Sequence, residues 1–413
     1  MSEKLTVKNV VNINKSTLSA KDNWSTLKYL DTGNITENQI DTLQIFQKGE
    51  KLPSRAKRKV EKGTIIYSTV RPNQKHFGYF DTHSNDLVVS TGFATLDVID
   101  PRINSKYLYY LLTQNSVISQ LQSIGENSTS SYPSIRPEDI GNLSFVFPDI
   151  DIQNKIADIL TSIDKKIQIN NQINQELEAM AKTLYDYWFV QFDFPDQNGK
   201  PYKSSGGKMV YHPELKREIP EGWGVEKVED IAQTGSGGTP KSTNVSYYSN
   251  GEIPWINSGE LEQTVITSTS NFITEEGLNN SSAKLFPSGT ILVAMYGATA
   301  GKVSFLTFEA STNQAICAIM LNDIRMRYYL KNVIEDLYQY LVKLSTGSAR
   351  DNLSQDMIKN IKVVIPSNDI LDRYYDFSNN IIKEITKKQQ ENEQLTQLRD
   401  WLLPMLMNGQ VKV

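Results

Sequence analysis

The chain has 413 residues, of which 39% are hydrophobic and 22% charged, as in an ordinary soluble globular protein of two or three domains. Its net charge of −4 argues against a uniformly basic nucleic-acid-binding surface but leaves local basic patches open. No apolar run approaches the roughly 18 residues that cross a bilayer, and the first ten residues lack the apolar core of a signal peptide. Because Cys317 is the only cysteine, no intrachain disulfide can form, and a cytoplasmic location is expected.

The first part of the chain alternates short apolar runs with clusters of Gly, Asn, Ser and Pro, which is the pattern of strands joined by turns. Strands are predicted in residues 64–70, 87–91 and 93–99, and a helix in residues 105–124. Residues 51–60 carry five basic side chains and no acidic one. This basic run is either a nucleic-acid contact or a solvated loop that aids solubility.

A long amphipathic helix is predicted from about Ile152 to about Phe189. Its apolar residues recur every seven positions in two lines, the a and d positions of a heptad repeat. The two lines are Ile156, Ile163, Leu177 and Leu184, and Ile152, Ile159, Ile173 and Met180. The polar residues Lys166 and Asn170 interrupt them.

After a segment rich in Gly, Pro, Ser and Lys, the same order of elements returns. Strands are predicted in residues 290–296, 302–308 and 315–321, a helix in 327–344, and a second long helix from about Ile370 to about Met407. The apolar lines of this second helix are Tyr374, Ile381, Leu395 and Leu402, and Ile370, Phe377 and Leu398, with interruptions at Glu384, Lys388 and Glu391.

Matching residues recur at a nearly constant separation, which indicates a duplicated domain. Gly63 and Gly289 are 226 residues apart, and Pro148 and Pro366 are 218 apart. A separation that shrinks along the chain is expected if only the loops differ in length. The predicted division is two sheet-rich domains at 1–148 and 223–366, long helices at 149–192 and 367–413, and a connector at 193–222.

A long helix that is apolar on one side needs a partner, and each long helix is the obvious partner of the other. We expect them to pack antiparallel, with Lys166 pairing with Glu384 and with Asn170 fixing the register. The alternative is that each of these polar residues simply faces water.

The sequence lacks the motifs of the common catalytic sites. Its histidines, His76, His83 and His212, have no metal-binding spacing, and one cysteine cannot build a zinc site. The Gly-rich run at 235–242 has Pro240 where a phosphate-binding loop needs glycine before its lysine. A nuclease cluster of Asp, Glu and Lys has no fixed spacing to search for, so catalysis stays open, but a binding module is favoured.

Polar and basic residues gather in the predicted loops of both copies. Arg and Lys match the O6/N7 edge of guanine, Asn and Gln match the N6/N7 edge of adenine, and hydroxyls suit phosphates. The alternative is that each is an ordinary surface loop. The DNA-binding candidates are Arg55, Lys57, Arg58, Arg71, Asn73, Gln74, Lys75, His76, Ser130 and Tyr132 in the first copy, and Lys241, Ser242, Thr243, Asn244, Tyr247, Tyr296, Thr299, Lys302, Ser348 and Arg350 in the second.

This ordered double set resembles the specificity (S) subunit of Type I restriction–modification systems over essentially the whole chain. The resemblance is carried by residues 63–80 with 88–96, by 289–306 with 311–316, by the junctions 134–148 and 352–366, and by 219–242. It implies an α+β fold of two tandem sheet-rich target-recognition domains, separated by a pair of long antiparallel coiled-coil helices, with a pseudo-twofold internal repeat.

The resemblance further implies a non-catalytic chain that reads a bipartite double-stranded DNA site through the major groove. Two methyltransferase (M) subunits would carry S-adenosylmethionine, and restriction (R) subunits would use ATP and Mg²⁺. The exposed apolar faces of the helices and residues 184–192 are candidate M-subunit contacts, with Tyr185, Trp188 and Phe189 as anchors. The alternative is that these aromatic residues close the end of the helical pair.

Two other functions remain under consideration. One is a self-sufficient restriction enzyme, or half of one, which a metal-dependent cleavage assay would reveal. The other is a coiled-coil scaffold whose two globular ends bind proteins.

Overall fold

The structure, a computed structural model, describes residues 4–19, 21–82, 86–128, 131–297, 299–344 and 353–413. Their contacts divide the chain into two compact units: unit 1 is Met1–Lys166 with Gln394–Val413, and unit 2 is Ile167–Glu393. Four residues considered above, His83, Ser130, Ser348 and Arg350, lie outside the described residues.

Unit 1 is built from two four-stranded sheets, a short two-stranded sheet and a hairpin. One sheet has the order β2-β11-β8-β9, the other the order β6-β3-β10-β7, in which β3 and β10 are parallel. β1 pairs with β12, and β4 with β5. The strands are β1 (Lys4–Thr6), β2 (Val11–Ile13), β3 (Thr26–Leu30), β4 (Ile35–Thr36), β5 (Gln39–Ile40), β6 (Gln44–Gln47), β7 (Ala56–Lys59), β8 (Ile65–Ser68), β9 (Phe77–Tyr79), β10 (Leu87–Ser90), β11 (Phe93–Val98) and β12 (Ser144–Val146).

The helices of unit 1 cover one of these sheets. They are α1 (Val7–Val10), α2 (Ser105–Leu112), α3 (Asn115–Glu126), α4 (Pro137–Gly141), the first part of α5 (Ile150–Tyr185) and the last part of α10 (Asn368–Met407). The core contains Ile65 of β8, Leu108 of α2 and Leu160 of α5, all fully buried. The predicted helix at 105–124 is therefore two helices, because Gln114 takes an extended backbone conformation between them.

Unit 2 repeats this framework. Its sheets have the orders β16-β24-β21-β22-β18 and β19-β17-β23-β20, again with one parallel pair, β17 and β23, in the second sheet. The strands are β13 (Met209–His212), β14 (Arg217–Pro220), β15 (Gly224–Lys227), β16 (Ala232–Ser236), β17 (Ile253–Ile256), β18 (Val265–Ile266), β19 (Phe272–Ile273), β20 (Leu285–Phe286), β21 (Ile291–Ala294), β22 (Val303–Leu306), β23 (Ala310–Thr312), β24 (Ile316–Leu321) and β25 (Lys362–Ile365).

The helices of unit 2 are α6 (Val228–Ile231), α7 (Glu275–Asn279), α8 (Arg327–Leu344), α9 (Gln355–Lys359) and most of α10 (Asn368–Met407). Cys317 lies in the core of unit 2, where burial raises the pKa of its thiol to about 12, as expected of a small core residue. The matching strand order of the two units confirms the predicted internal repeat and the mixed α+β class.

The two long helices pack against each other in antiparallel fashion within each unit. In unit 1, Asp164 of α5 accepts a hydrogen bond from Arg399 of α10 at 3.2 Å. In unit 2, Asn170 contacts Asn392, and the ring of Trp188, just past the end of α5, lies 6.1 Å from that of Tyr374. The residue number of the partner on α10 thus decreases as the residue number on the α5 side increases, which confirms the predicted antiparallel pair.

The seam between the helices uses only one of the two apolar lines predicted for each. On α5 the line of Ile156 and Ile163 is buried, but Ile159 and Met180 of the other line are 38% and 53% exposed. The second buried line of α5 lies one residue later. It consists of Gln153, Leu160, Ile167 and Asn174.

The same shift of one residue occurs on α10. Tyr374, Ile381 and, from the other predicted line, Ile370 are buried, whereas Phe377 and Leu398 of that line are exposed. Leu371, Ser378 and Ile385 are buried instead. Lys166 and Glu384 belong to the outward lines and are both exposed. Exposure does not test whether these two residues pair, so the expected pairing stays a prediction.

A polar layer does cross the seam in unit 2, and Asn170 forms it. Its Nδ2 donates to Oε2 of Glu391 and to Oδ1 of Asn392, both at 2.9 Å. Nδ2 of Asn392 in turn donates to Oδ1 of Asn171 at 2.7 Å. Because a buried asparagine is satisfied in only one alignment of two helices, this layer favours a single register.

Replacing Asn170 with leucine should stabilise the protein but weaken the register. The side chain is fully buried, and its Oδ1 has no hydrogen-bond partner among the described residues. An apolar side chain there is expected to raise the melting temperature by about 2–4 °C per kcal/mol gained. Amide hydrogen exchange along the seam of unit 2 should be less protected, relative to the melting temperature, in N170L than in the parent, because the helices then sample more than one alignment. Asn174, a buried asparagine on the same helix, offers the control N174L, which should keep the parental protection.

The connector predicted at 193–222 is ordered and packs onto unit 2. It follows a π-helical turn, Asp186–Val190, and contains the hairpin β13–β14. The Phe194 ring stacks between Tyr202 at 4.7 Å and Trp223 at 4.8 Å. Aromatic burial gives this Gly-rich segment a fixed path.

Candidate nucleic-acid interface

Three of the predicted DNA-binding segments of unit 1 meet along one edge. The carbonyl of Arg55 accepts from the amide of Thr91, and the carbonyl of Gly92 accepts from the amide of Thr69, both at 2.9 Å. The amide of Arg71 donates to the carbonyl of Pro133 at 2.8 Å. Backbone hydrogen bonds thus tie the basic run, the 70–76 loop and the 131–134 segment together.

The 70–76 loop faces the β4–β5 hairpin, and we call residues 35–40 and 71–77 the recognition tip. Glu37 and Asn38 in the hairpin, and Arg71 and Lys75 in the loop, all have positive φ, between 46° and 66°. Residues other than glycine rarely adopt this left-handed backbone conformation, and those that do cluster at functional sites. The tip is therefore a preorganised surface.

Only part of the predicted loop is free to meet a ligand. Arg71, Asn73 and Gln74 are exposed. Lys75 is half-buried and forms an ion pair with Glu37 at 2.5 Å. The Nδ1–H of His76 donates to the carbonyl of Ile35 at 2.5 Å. Lys75 and His76 thus hold the tip together, while the other three point their donors and acceptors outward.

The remaining candidates of unit 1 flank this tip. The guanidinium of Arg71 lies 5.7 Å from the ring centre of Tyr132. Arg55 and Lys57 are exposed, and Arg58 is half-buried, where burial lowers the pKa of its guanidinium. These cations and the edge of the tip can together contact phosphates and base edges.

In unit 2 the candidate loops adjoin the turn between β23 and β24. The amide of Gly238 donates to the carbonyl of Thr312 at 2.8 Å, and the hydroxyl of Thr239 donates to Oε1 of Gln314 at 2.6 Å. Lys241, Ser242 and Thr243 follow and are exposed. Their chemistry, one cation and two hydroxyls, differs from the Arg-Asn-Gln set of unit 1.

Other candidates of unit 2 have structural contacts. Oδ1 of Asn244 caps the turn by accepting from the amide of Ser246 at 3.3 Å. The hydroxyl of Thr299 is buried and donates to the carbonyl of Ser258 at 2.7 Å. Tyr247 and Tyr296 are half-buried, and Lys302 is exposed beside a cleft of about 400 Å³ that is also lined by Lys182 and Asp336.

Sequence reasoning missed the turns at the centre of both edges. They lie at Thr91 and Gly92 in unit 1 and at residues 313–315 in unit 2, and Thr91 and Gln314 are exposed. The dipeptide Ser-Thr recurs at both places, as Ser90-Thr91 and Ser311-Thr312, and is a sign of the duplication. Their position among the candidate loops follows only from the sheet order.

The three aromatic residues predicted as partner anchors are buried within unit 2. Tyr185, Trp188 and Phe189 are 5%, 8% and 3% exposed, and the Phe189 ring lies 4.6 Å from Tyr329 and 4.8 Å from Tyr374. Their burial favours the alternative prediction, in which they close the end of the helical pair.

Among the described residues, no group of three His, Cys, Asp or Glu side chains is placed to hold a metal ion. In the same part of the chain, no helix is long and apolar enough to span a membrane.

Comparison with known proteins assigns both repeats to the same family model. The model of the Type I restriction modification DNA specificity domain matches residues 2–179 and again 220–397. The chain is 28% identical to the Type I restriction enzyme HindI specificity subunit of Haemophilus influenzae, over 93% of this chain and 94% of that protein. It is also 28% identical to the MjaIX specificity subunit of Methanocaldococcus jannaschii, over 93% and 84% respectively.

Among solved structures, the fold is similar to that of a Type I restriction–modification S subunit from M. genitalium. The TM-score is 0.56 at 15% identity, covering 98% of this chain and 95% of that one. At this identity the similarity concerns the fold alone.

Proposed function

The chain belongs to the family of Type I restriction–modification DNA specificity subunits, and from this premise we propose that it reads a bipartite DNA target, one half-site with each unit. Each unit would approach the major groove with its loop-bearing edge, and the chain itself would carry out no reaction. The observation that carries the proposal is the repeated sheet framework, whose two copies present chemically different exposed loop residues: Arg71, Asn73 and Gln74 after β8 in unit 1, and Lys241, Ser242 and Thr243 after β16 in unit 2.

The two edges suit different base sequences. In unit 1, Arg71 matches the guanine O6/N7 edge, and Asn73 and Gln74 match the adenine N6/N7 edge. In unit 2, Lys241 with Ser242 and Thr243 offers another set of donors and acceptors. Arg55 and Lys57 would neutralise phosphates, which adds affinity without sequence preference.

The antiparallel helices would fix the spacing between the half-sites. Each additional base pair moves a half-site by about 3.4 Å and turns it by about 34°. A helical pair locked in one register by Asn170 resists such a change, whereas a flexible linker would accept it.

The outward lines of the helices would bind the methyltransferase subunits. Phe377 and Leu398, three heptads apart on α10, are 38% and 43% exposed, and Trp401, one turn after Leu398, is 59% exposed. Ile159 and Met180, also three heptads apart, give α5 a similar face. Exposed apolar residues repeated at heptad spacing are the pattern of a helix that packs against a further helix. In the complex, two M subunits would bring S-adenosylmethionine, R subunits would bring ATP and Mg²⁺, and the assembly would act on DNA in the cytoplasm.

The test uses the chain coexpressed with its methyltransferase subunits. Sequencing of methylated DNA should show one bipartite motif with a fixed spacer, present only when this chain is present. Replacing residues 1–148 with the same domain of a relative should change one half of the motif and leave the other half and the spacer unchanged.

Three results would contradict the proposal. Methylation by the chain alone, supplied with S-adenosylmethionine, would show a catalytic chain. Metal-dependent cleavage by the chain alone would favour a self-sufficient restriction enzyme. A domain exchange that leaves the whole motif unchanged would favour a scaffold protein.

A further inference from the structure

The recognition tip of unit 1 is tied to the long helices through one carboxylate. Glu37 contacts Lys75 within the tip and also faces α10, where its Oε2 lies 3.6 Å from Nη2 of Arg399. The two turns of the tip are joined by backbone hydrogen bonds as well: the amide of Glu37 donates to the carbonyl of Lys75, and that of Asn38 to the carbonyl of Phe77, both at 2.9 Å. These hydrogen bonds join the two turns of the tip, and Glu37 contacts α10.

Arg399 connects that contact to both long helices. Its Nη1 donates to Asp164 of α5 at 3.2 Å, and its Nη2 donates to Asp400 at 2.9 Å. Asp164 also accepts from the hydroxyl of Tyr110 in α2 at 2.6 Å. The Arg399 side chain is only 17% exposed, so these charges interact in surroundings that screen them weakly.

Three carboxylates surround the guanidinium of Arg399. Glu37, Asp164 and Asp400 all face Arg399, so removal of the guanidinium would leave three carboxylates repelling one another. On the other side of Glu37, the ammonium of Lys75 is neutralised within the protein and half-buried. A cation at the centre of a DNA-reading loop is thus held back from the phosphates.

We propose that Glu37 and Arg399 are positioning residues for DNA recognition: the Lys75–Glu37–Arg399 chain fixes the angle of the recognition tip against the helices and keeps Lys75 from binding phosphates irrespective of sequence. The inference rests on the proposed function, because it assumes that unit 1 reads a half-site. It gives Lys75 a role opposite to that of a direct DNA contact.

Unit 2 offers a matched control. There the hydroxyl of Thr267, next to β18, donates to the carboxylate of Glu393, also on α10. The variant T267A removes one contact of a recognition domain with the same helix, six residues from Arg399, and leaves Glu37 and Arg399 unchanged.

The experiment measures binding of the complex with its methyltransferase subunits to four labelled duplexes: the motif, the motif with either half-site scrambled, and a fully scrambled duplex. E37Q should lower discrimination at the half-site read by unit 1 by about 3- to 30-fold. On the scrambled duplex it should bind more tightly, with a salt dependence steeper by about one released ion, because Lys75 becomes available to phosphates.

The arginine variants test the rest of the chain of contacts. R399Q should lower discrimination at that half-site as much as E37Q does. The double variant E37Q/R399Q should lose little more discrimination than either single variant. R399K keeps the positive charge and should retain most of the parental discrimination. T267A should leave discrimination at the half-site of unit 1 unchanged. If R399Q does not fold, E37Q and R399K carry the test.

Equal losses at both half-sites, with a lowered melting temperature and an unchanged salt dependence, would overturn the inference in favour of a purely structural role. Parental discrimination and salt dependence in E37Q would overturn it as well. Failure of the proposed function is seen separately, as a parental complex that prefers none of the four duplexes.

Discussion

Inserting one heptad into each long helix is expected to abolish tight binding to the native target, by at least about 100-fold, and to shift the preferred spacer to one about two or three base pairs longer. The insertions belong after Lys166 in α5 and after Glu393 in α10, where the chain passes between the compact units. Seven helical residues add about 10.5 Å, close to the rise of three base pairs.

The positions are chosen so that each unit keeps its own contacts. The hydrogen bond of Arg399 to Asp164 lies within unit 1, and that of Asn170 to Glu391 lies within unit 2. A whole heptad also keeps the buried line of each helix in phase across the insertion. Because three base pairs also turn a half-site by about 100°, binding at the longer spacer should recover only in part.

Binding to duplexes with graded spacers, in the complex with methyltransferase subunits, measures this effect. An insertion in α5 alone is the control; it throws the two helices out of register and should lower binding at every spacer. A preferred spacer that stays at its native length after the double insertion would show that the helices do not set the distance.

The architecture could be predicted from the sequence because a duplicated domain repeats a whole series of elements in the same order, which is stronger evidence than any single motif. The strand runs, the Pro148 and Pro366 junctions and the two long helices recur in order, so errors in any one element do not affect the conclusion. The matching strand orders of the two units confirm it.

The sequence alone did not predict which faces of the two long helices form the seam, and the reason is physical. Gln153, Asn174 and Ser378 lie in the buried lines, whereas apolar residues such as Ile159 and Phe377 face outward. Hydrophobic periodicity assigns the apolar residues to the seam, and it fails when polar residues occupy the seam and a second apolar face points outward.

Loop chemistry was only partly readable. The exposed Arg71, Asn73 and Gln74 and the tied Lys75 and His76 form one continuous run in sequence. What separates them is the facing hairpin at Glu37, about forty residues earlier, and only the sheet topology brings it to the loop. Which of these residues contact DNA stays a prediction.

The variant with Arg71, Asn73 and Gln74 all replaced by alanine is expected to lose recognition of one half-site. Each bidentate contact to a base contributes about 1–3 kcal/mol, so loss of two or more should weaken binding to the motif by at least about 30-fold. Binding to a fully scrambled duplex should change little, because these residues supply sequence preference more than phosphate contacts. The melting temperature should stay close to the parental value, since all three side chains are exposed.

Two further variants separate base reading from phosphate contact. Lys57→Ala should weaken binding to every duplex alike and reduce the salt dependence by about one ion. Replacing Lys241, Ser242 and Thr243 with alanine should lower discrimination at the half-site read by unit 2 and leave discrimination at the half-site read by unit 1 unchanged. A triple-alanine variant of unit 1 that still discriminates its half-site would move the reading surface to the turn at Thr91 and Gly92, which the same backbone hydrogen bonds hold at the edge beside Arg55.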